Sequence, residues 1–160
     1  MRVKVVIFCG GLGTRLAEET RVIPKPMVKI GGIPIIEHIM RHYASYGHND
    51  FILCAGYRQE AIKEYFHNFN MRKLDFTINL STNEVSQIGN NNIDWRVTVI
   101  DTGEFTMTGG RLKRILPLIE EDNFLLTYGD GLSNTNINAT IEKHLSMNSV
   151  VTLTATLPPD

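Results

Sequence analysis

Residues 3–16 read VKVVIFCGGLGTRL, a near-continuous apolar run that ends in a glycine-rich loop. Only Lys4 interrupts the run, and a strand so uniformly apolar is one buried on both faces, as in a parallel sheet with helices above and below. Gly10, Gly11 and Gly13 follow where such a strand would end, the position at which open α/β sheets bind ligands. Residues 51–54 repeat the apolar theme. Between the two runs Pro34 opens a segment in which Ile35, Ile36, Ile39, Met40 and Tyr43 recur at helical spacing, and Gly47 is placed to close it in a left-handed turn. Further strands are expected near 76–80, 97–100, 124–128 and 150–156, and helices near 58–66, 111–119 and 136–147. The stretch 81–94, rich in Asn, Ser and Gly, reads as a surface excursion. Short β-branched runs alternating with helical patterns predict one α/β domain over residues 1–160, a Rossmann-like, mostly parallel sheet with helices on both faces.

The composition narrows the function. With 160 residues, 42% hydrophobic and 21% charged, the chain is long enough to bury a real core. Its net charge of −1 offers no basic excess for a nucleic acid or an anionic membrane, so phosphate binding would have to come from a local site. No run approaches the roughly 18 apolar residues of a membrane span, and the first apolar stretch is too short for a signal peptide. A cytoplasmic location is expected. Cys9 and Cys54 each end an apolar run and are expected to be reduced, buried thiols rather than a disulfide or a nucleophile.

The glycine loop has the means to hold phosphate. Bare backbone lets N–H groups approach phosphate oxygens without interference from Cβ, forming an anion nest. The spacing is not that of the Rossmann fingerprint, because Gly11-Leu12-Gly13 is followed by Thr14-Arg15-Leu16 with no third glycine in register, and no Gly-Lys-Ser/Thr of the Walker pattern follows. Arg15 adds a guanidinium fork suited to phosphate oxygens, and Lys25 a point charge stiffened between Pro24 and Pro26. Further on, the apolar residues 124–128 lead into Gly129-Asp130-Gly131, which sets one carboxylate at a strand tip between two residues without bulk. Magnesium takes one or two carboxylates together with substrate phosphates and water, so Asp130 is the candidate metal ligand. His38 and His42 lie four apart on one helix beside Glu37, but with no third ligand in view they are expected on a solvated helix face.

The run Gly-Gly-x-Gly-Thr-Arg-Leu at 10–16 and Pro-Lys-Pro-Met at 24–27 resembles the signature of the sugar-1-phosphate nucleotidylyltransferases. That resemblance implies a magnesium-dependent reaction of a nucleoside triphosphate with a sugar 1-phosphate, giving a nucleotide sugar and pyrophosphate. It implies that Phe8, Gly10, Gly11, Gly13, Thr14 and Arg15 bind the nucleotide and its triphosphate, that Lys25 contacts phosphate at the reacting end, and that Gly129 and the metal-binding Asp130 complete the site. The stretch DTGEFTMTGGRLKR at 101–114, with Tyr-Gly-Asp-Gly at 128–131, is similar to the branch that uses CTP and glucose 1-phosphate. Within it Thr106, Gly110 and Arg111 are the implied base-proximal residues, and the Arg111 guanidinium is expected to donate to a cytosine carbonyl or reach a phosphate. The branch usually carries a second lysine where this chain has Ile23.

The expected chemistry needs no covalent intermediate, because a sugar phosphate oxygen can attack the α-phosphorus in line while pyrophosphate departs. Arg15, Lys25 and Asp130 are the candidate catalytic residues. A sister activity with dTTP or UTP, and a nucleotide-binding module without turnover, remain alternatives. The resemblance also implies a homo-oligomer for the full-length family and an acceptor side, with a Glu-Lys-Pro lysine and a second metal carboxylate, beyond the point matching Asp160. No Glu-Lys-Pro occurs in the chain.

Overall fold

The computed structural model describes residues 3–11 and 23–156. Strand β1 (Val5–Phe8) is followed by a small hairpin of β2 (Lys29–Ile30) and β3 (Ile33–Pro34), then α1 (Ile35–Ser45), β4 (Asp50–Ala55), α2 (Gln59–His67) and α3 (Phe69–Lys73). An outlying hairpin of β5 (Asp75–Asn79) and β6 (Glu84–Ile88) leads to β7 (Arg96–Asp101), α4 (Thr108–Ile115), β8 (Leu125–Tyr128) and α5 (Ile137–Ser146).

Among the described residues four strands form the central sheet in the order β7-β4-β1-β8, and every pair is parallel. Successive residues of a strand face opposite ways, so β1 serves two cores. Val5 and Ile7 join Ile36, Ile39 and Met40 of α1, Ile62 of α2, and Phe51 and Leu53 of β4. Val6 joins Ile52, Cys54 and Ile115 of α4 on the other face. The chain leaves β1 for β4 on one side and returns from β7 to β8 on the other. Right-handed crossovers running in opposite directions place α1 and α4 on opposite faces. The predicted parallel sheet with helices on both faces is therefore the observed one. Ile7, Ile36, Leu53, Ile62 and Ile115 are fully buried, each contributing about 1.5–3 kcal/mol of hydrophobic stabilisation.

Among the described residues no helix is long and apolar enough to cross a membrane. Gly47 closes α1 with φ 86°, the left-handed conformation expected of it. The β2–β3 hairpin turns on Gly31 and Gly32, both left-handed at φ 60° and 83°, the geometry that a two-residue connection matches to strand twist. Three expectations need correction. Residues 81–94 are not wholly an excursion, because β6 lies within them and pairs antiparallel with β5. The helix expected at 111–119 begins earlier, at Thr108, and gives way after Ile115 to a 3-10 turn at Leu116–Leu118. Residues 150–156 form no strand, since no neighbour among the described residues offers them a ladder.

Candidate nucleotide site

All four strands of the sheet run out at one edge, and a glycine stands within two residues of each end: Gly10 after β1, Gly56 after β4, Gly103 after β7 and Gly129 after β8. Backbone pairing persists past the strand ends, with the Cys9 amide donating to Cys54 O at 3.0 Å, Thr102 to Ala55 O at 2.9 Å and Gly129 to Phe8 O at 2.9 Å. These bonds hold the four glycine turns side by side. Because α1 and α4 depart to opposite faces on either side of β1, the crevice above its carboxyl end is the topological switch point where such sheets take ligands.

Lys25 reaches this edge from a single 3-10 turn, Lys25–Met27. Pro24 and Pro26 are buried and fix the backbone on either side of it. Pro26 packs so closely on Gly129 that a Cβ there would lie 3.0 Å from its Cγ, 3.1 Å from Phe8 O and 3.2 Å from Cys9 Sγ, which is why the strand-tip residue before Asp130 has no side chain. The consequence is an ion pair: Lys25 Nζ lies 3.7 Å from the Asp130 carboxylate, with Lys25 mostly covered and Asp130 open to solvent. Two residues 105 positions apart in sequence, singled out separately as phosphate and metal contacts, are thus brought together. Asp130 faces outward at the strand tip with a cation already attracted to it, which suits a carboxylate that shares magnesium with substrate phosphates. Among the described residues no three His, Cys, Asp or Glu side chains converge on a metal position.

Arg111 is held by acceptors of the protein itself. It is 4% exposed, and its guanidinium lies beneath the loops rather than in their mouth. One terminal nitrogen donates to Ala55 O at 3.1 Å and to Thr102 Oγ1 at 2.7 Å, the other to Gly10 O at 2.8 Å and Glu104 O at 3.1 Å. A terminal guanidinium nitrogen has two N–H groups, so each of these four donors has an acceptor within the protein. A Cβ on Gly10 would overlap the guanidinium, and one on Gly56 would come within 2.6 Å of it and 2.8 Å of Gly103 O. The two glycines form the slot that admits Arg111. Thr106 stands between Gly103 and Gly110, its Oγ1 2.6 Å from a Cβ built on the first and its Cγ2 2.8 Å from one on the second. Arg114, one turn on, donates to Thr102 O.

Of the remaining site candidates, Gly11 is exposed, with nothing among the described residues within 4 Å of a Cβ built on it, and Phe8 packs edge-on against Tyr128 with ring centroids 5.7 Å apart. Gly13, Thr14 and Arg15 lie outside the described residues. Thr102 and Gly56 were not singled out from the sequence, although a glycine after each predicted strand was there to be read. His38 and His42 do not form a chelating pair. Their Nε2–H groups donate to Ile30 O at 3.0 Å and Thr135 O at 2.9 Å. Cys9 and Cys54 are free and buried, as expected. Burial raises both thiols, Cys54 to about 11, so neither is a thiolate nucleophile near neutrality.

The nucleotidyl transferase family model matches residues 4–160. The chain is 50% identical to glucose-1-phosphate cytidylyltransferase of Salmonella typhimurium over 98% of its own length and 61% of the relative's. It is 45% identical to the probable glucose-1-phosphate cytidylyltransferase of Bacillus subtilis over 94% of its length and 59% of that protein. It thus spans about three fifths of the curated relatives it matches. Among solved structures, HddC from Yersinia pseudotuberculosis, crystallised with GMP-PN, superposes with a TM-score of 0.64 at 28% identity, covering 89% of this chain and 54% of HddC.

Proposed function

Because the chain belongs to the nucleotidyl transferase family, we propose that it supplies the nucleotide-binding side of a cytoplasmic enzyme that transfers the cytidylyl group of CTP to glucose 1-phosphate, releasing pyrophosphate. The observation that carries this reading is the 3.7 Å meeting of Lys25 and Asp130 at the same sheet edge as the Gly10–Gly11 turn. The choice of CTP and glucose 1-phosphate rests on the named activity of relatives 45–50% identical.

In this reading a phosphate oxygen of the sugar 1-phosphate forms a bond to the α-phosphorus as the bond to the β-phosphate breaks, and the electron pair leaves with pyrophosphate. Lys25 would place its ammonium where charge grows on the α-phosphate, a differential interaction that favours the transition state over the ground state. The Gly10–Gly11 backbone, with Gly13, Thr14 and Arg15, would hold the β- and γ-phosphates and so the leaving group. Thr106, Gly110 and Gly129 would border the nucleoside. Asp130 would hold magnesium, which when bound neutralises the triphosphate and favours departure of pyrophosphate.

The test is calorimetric titration of the chain with CTP, dTTP, UTP, ATP and GTP in the presence of magnesium. CTP should bind tightest. Equal affinity for all five would remove the base assignment, a dTTP or UTP preference would make the protein a sister enzyme, and no binding would remove the nucleotide reading. The same chain assayed with CTP, glucose 1-phosphate and pyrophosphatase reports on the acceptor, by mass detection of CDP-glucose.

A further inference from the structure

We propose that the β5–β6 hairpin is an interaction arm that docks on a second copy of this chain, in the groove between α2, α3 and β7. Pairing of the two strands sets Phe76 opposite Gln87 and Ile78 opposite Val85, and directly opposed residues share one face of a ribbon. Phe76, Ile78 and Val85 therefore make one apolar face, with Leu80 following at the tip, while Asp75, Thr77, Asn79, Glu84 and Ser86 lie on the other. Ile88, opposite Asp75 at the base of the arm, is the one apolar residue on the polar face. The apolar side chains are uncovered: Phe76, Ile78 and Val85 are 41–47% exposed and Leu80 is 80% exposed. Among the described residues the two strands pair only with each other, and a lone two-stranded hairpin is marginal in water unless a further surface packs on it.

The surface that fits the arm lies beside its base. A groove of about 890 Å³ has Phe66, Phe69, Trp95, Val97 and Val99 in its lining, with Lys63 among its polar residues. Gln87 also lines it, and Asn91 is tied to Asn70 of α3 by a 2.6 Å hydrogen bond, so the root of the hairpin forms one wall. None of Phe76, Ile78, Leu80 and Val85 lines the groove of its own chain. A second copy related by a two-fold axis supplies a groove to each arm and an arm to each groove, so one closed, self-complementary contact covers both. Charge selects the same partner. Residues 74–90 hold two carboxylates, Asp75 and Glu84, and no Lys, Arg or His, which rules against nucleic acid or an anionic membrane as the occupant. Residues 63–73 hold Lys63, Arg72 and Lys73 against Glu64 alone. Arg72 and Lys73 are paired with Glu64 and Glu37, so the Lys63 ammonium on the groove wall is the cation placed to meet Glu84 of the second copy.

Four apolar side chains a copy make a small interface, so a covalent trap reads this contact better than a mass does, and reads it apart from association at any other surface. Cys9 and Cys54 are buried and do not compete for the trap. Chains carrying Glu84→Cys and chains carrying Lys63→Cys, one introduced thiol each, are mixed at tens of micromolar under mild oxidation and resolved on a non-reducing gel. The mixture should give a disulfide-linked dimer, and each variant alone several-fold less of it. Ile78→Lys added to the Glu84→Cys chain charges the apolar face and should reduce the linked dimer several-fold, whereas Thr77→Lys, on the polar face, should leave it unchanged. All four positions are exposed, so none of these changes puts folding at risk. Glu84→Cys chains that link to one another in preference would mean that arm meets arm, which overturns the groove as the docking surface. No linked dimer in the mixture, or one indifferent to Ile78→Lys, would overturn the proposal as a whole.

Discussion

Lys25 and Asp130 form an ion pair at the sheet edge where phosphate and magnesium are proposed to bind. An ion pair with one open partner is worth about 1 kcal/mol or less, so it is easily exchanged: the carboxylate can pass to a metal ion and the ammonium to a phosphate. Removing the competitor should therefore strengthen metal binding. Lys25→Met is expected to bind Mn2+ a few-fold more tightly than the unaltered chain while binding triphosphate more weakly, and Asp130→Asn should lose metal binding altogether. Electron spin resonance of free Mn2+ measures both, and equal Mn2+ affinity in the Lys25 variant would show that the ammonium does not compete. The motif around each of these residues was legible in the sequence because proline fixes the backbone beside Lys25 and bare glycines leave room around Asp130. Arg111 was legible only as a charge. Its surroundings, Gly10 O 101 positions away with Gly56 and Thr102, are brought together by the fold alone.

The helices on one face of the sheet are joined by a buried acid. Glu37 in the first turn of α1 is fully buried, yet it accepts hydrogen bonds from Tyr65 of α2, from Arg41 at 2.6 and 3.0 Å, and from Lys73 at the end of α3 at 3.1 Å. Burial works to raise its pKa, but the bonds from Tyr65, Arg41 and Lys73 together lower it below the ordinary value. Glu37→Gln should cost about 1.5–3 kcal/mol, the worth of a hydrogen bond to a charged group. His48, beyond the end of α1, is also buried, and burial is the main cause that lowers its pKa. For both groups the unfolded chain binds the proton more readily than the folded one, so each contributes stability above its unfolded pKa and loses it as pH falls. Melting temperature should hold above about pH 7, fall from there toward pH 5 as unfolded His48 protonates near 6.5, and fall again below about 4.5 as Glu37 does. Thermal unfolding of His48→Phe across that range should show the upper limb flattened and the lower one kept; an unchanged upper limb would move its cause elsewhere. The elements these groups join were readable from periodicity because they bury one face. Strand β6 was not, since all five of its residues are exposed and its polar composition carries no burial signal; pairing with β5 alone makes it a strand.

The sheet is well covered at its centre and poorly covered toward β8. Among the described residues that strand has a single partner, β1, and its Leu126 and Tyr128 are exposed. Beside it, His144 of α5 bonds Asn123 at 2.9 Å and Thr152 at 3.0 Å, which draws residues 150–153 to the same flank. There Val150 is 97% and Leu153 83% exposed, with Val151, Leu145 and Met147 also open. Apolar side chains gathered on one flank, next to an unpaired strand edge, favour association over solvation, and a net charge of −1 supplies almost no repulsion to oppose it. The polypeptide of residues 1–160, taken by itself, should therefore sediment as a concentration-dependent mixture and bind a hydrophobic dye, while still binding nucleotide at the carboxyl ends of the strands. Charged substitutions at two of the most exposed positions, Val150→Lys with Leu153→Lys, should shift the mixture toward monomer and reduce dye fluorescence without changing CTP affinity, because neither residue touches the strand ends that hold Gly10, Lys25 and Asp130. Sedimentation velocity at tens of micromolar decides it. A monomer that ignores the dye would mean that this flank folds over its own apolar surface in solution, and a parallel loss of CTP binding in the charged variant would mean that the two flanks are coupled through β8.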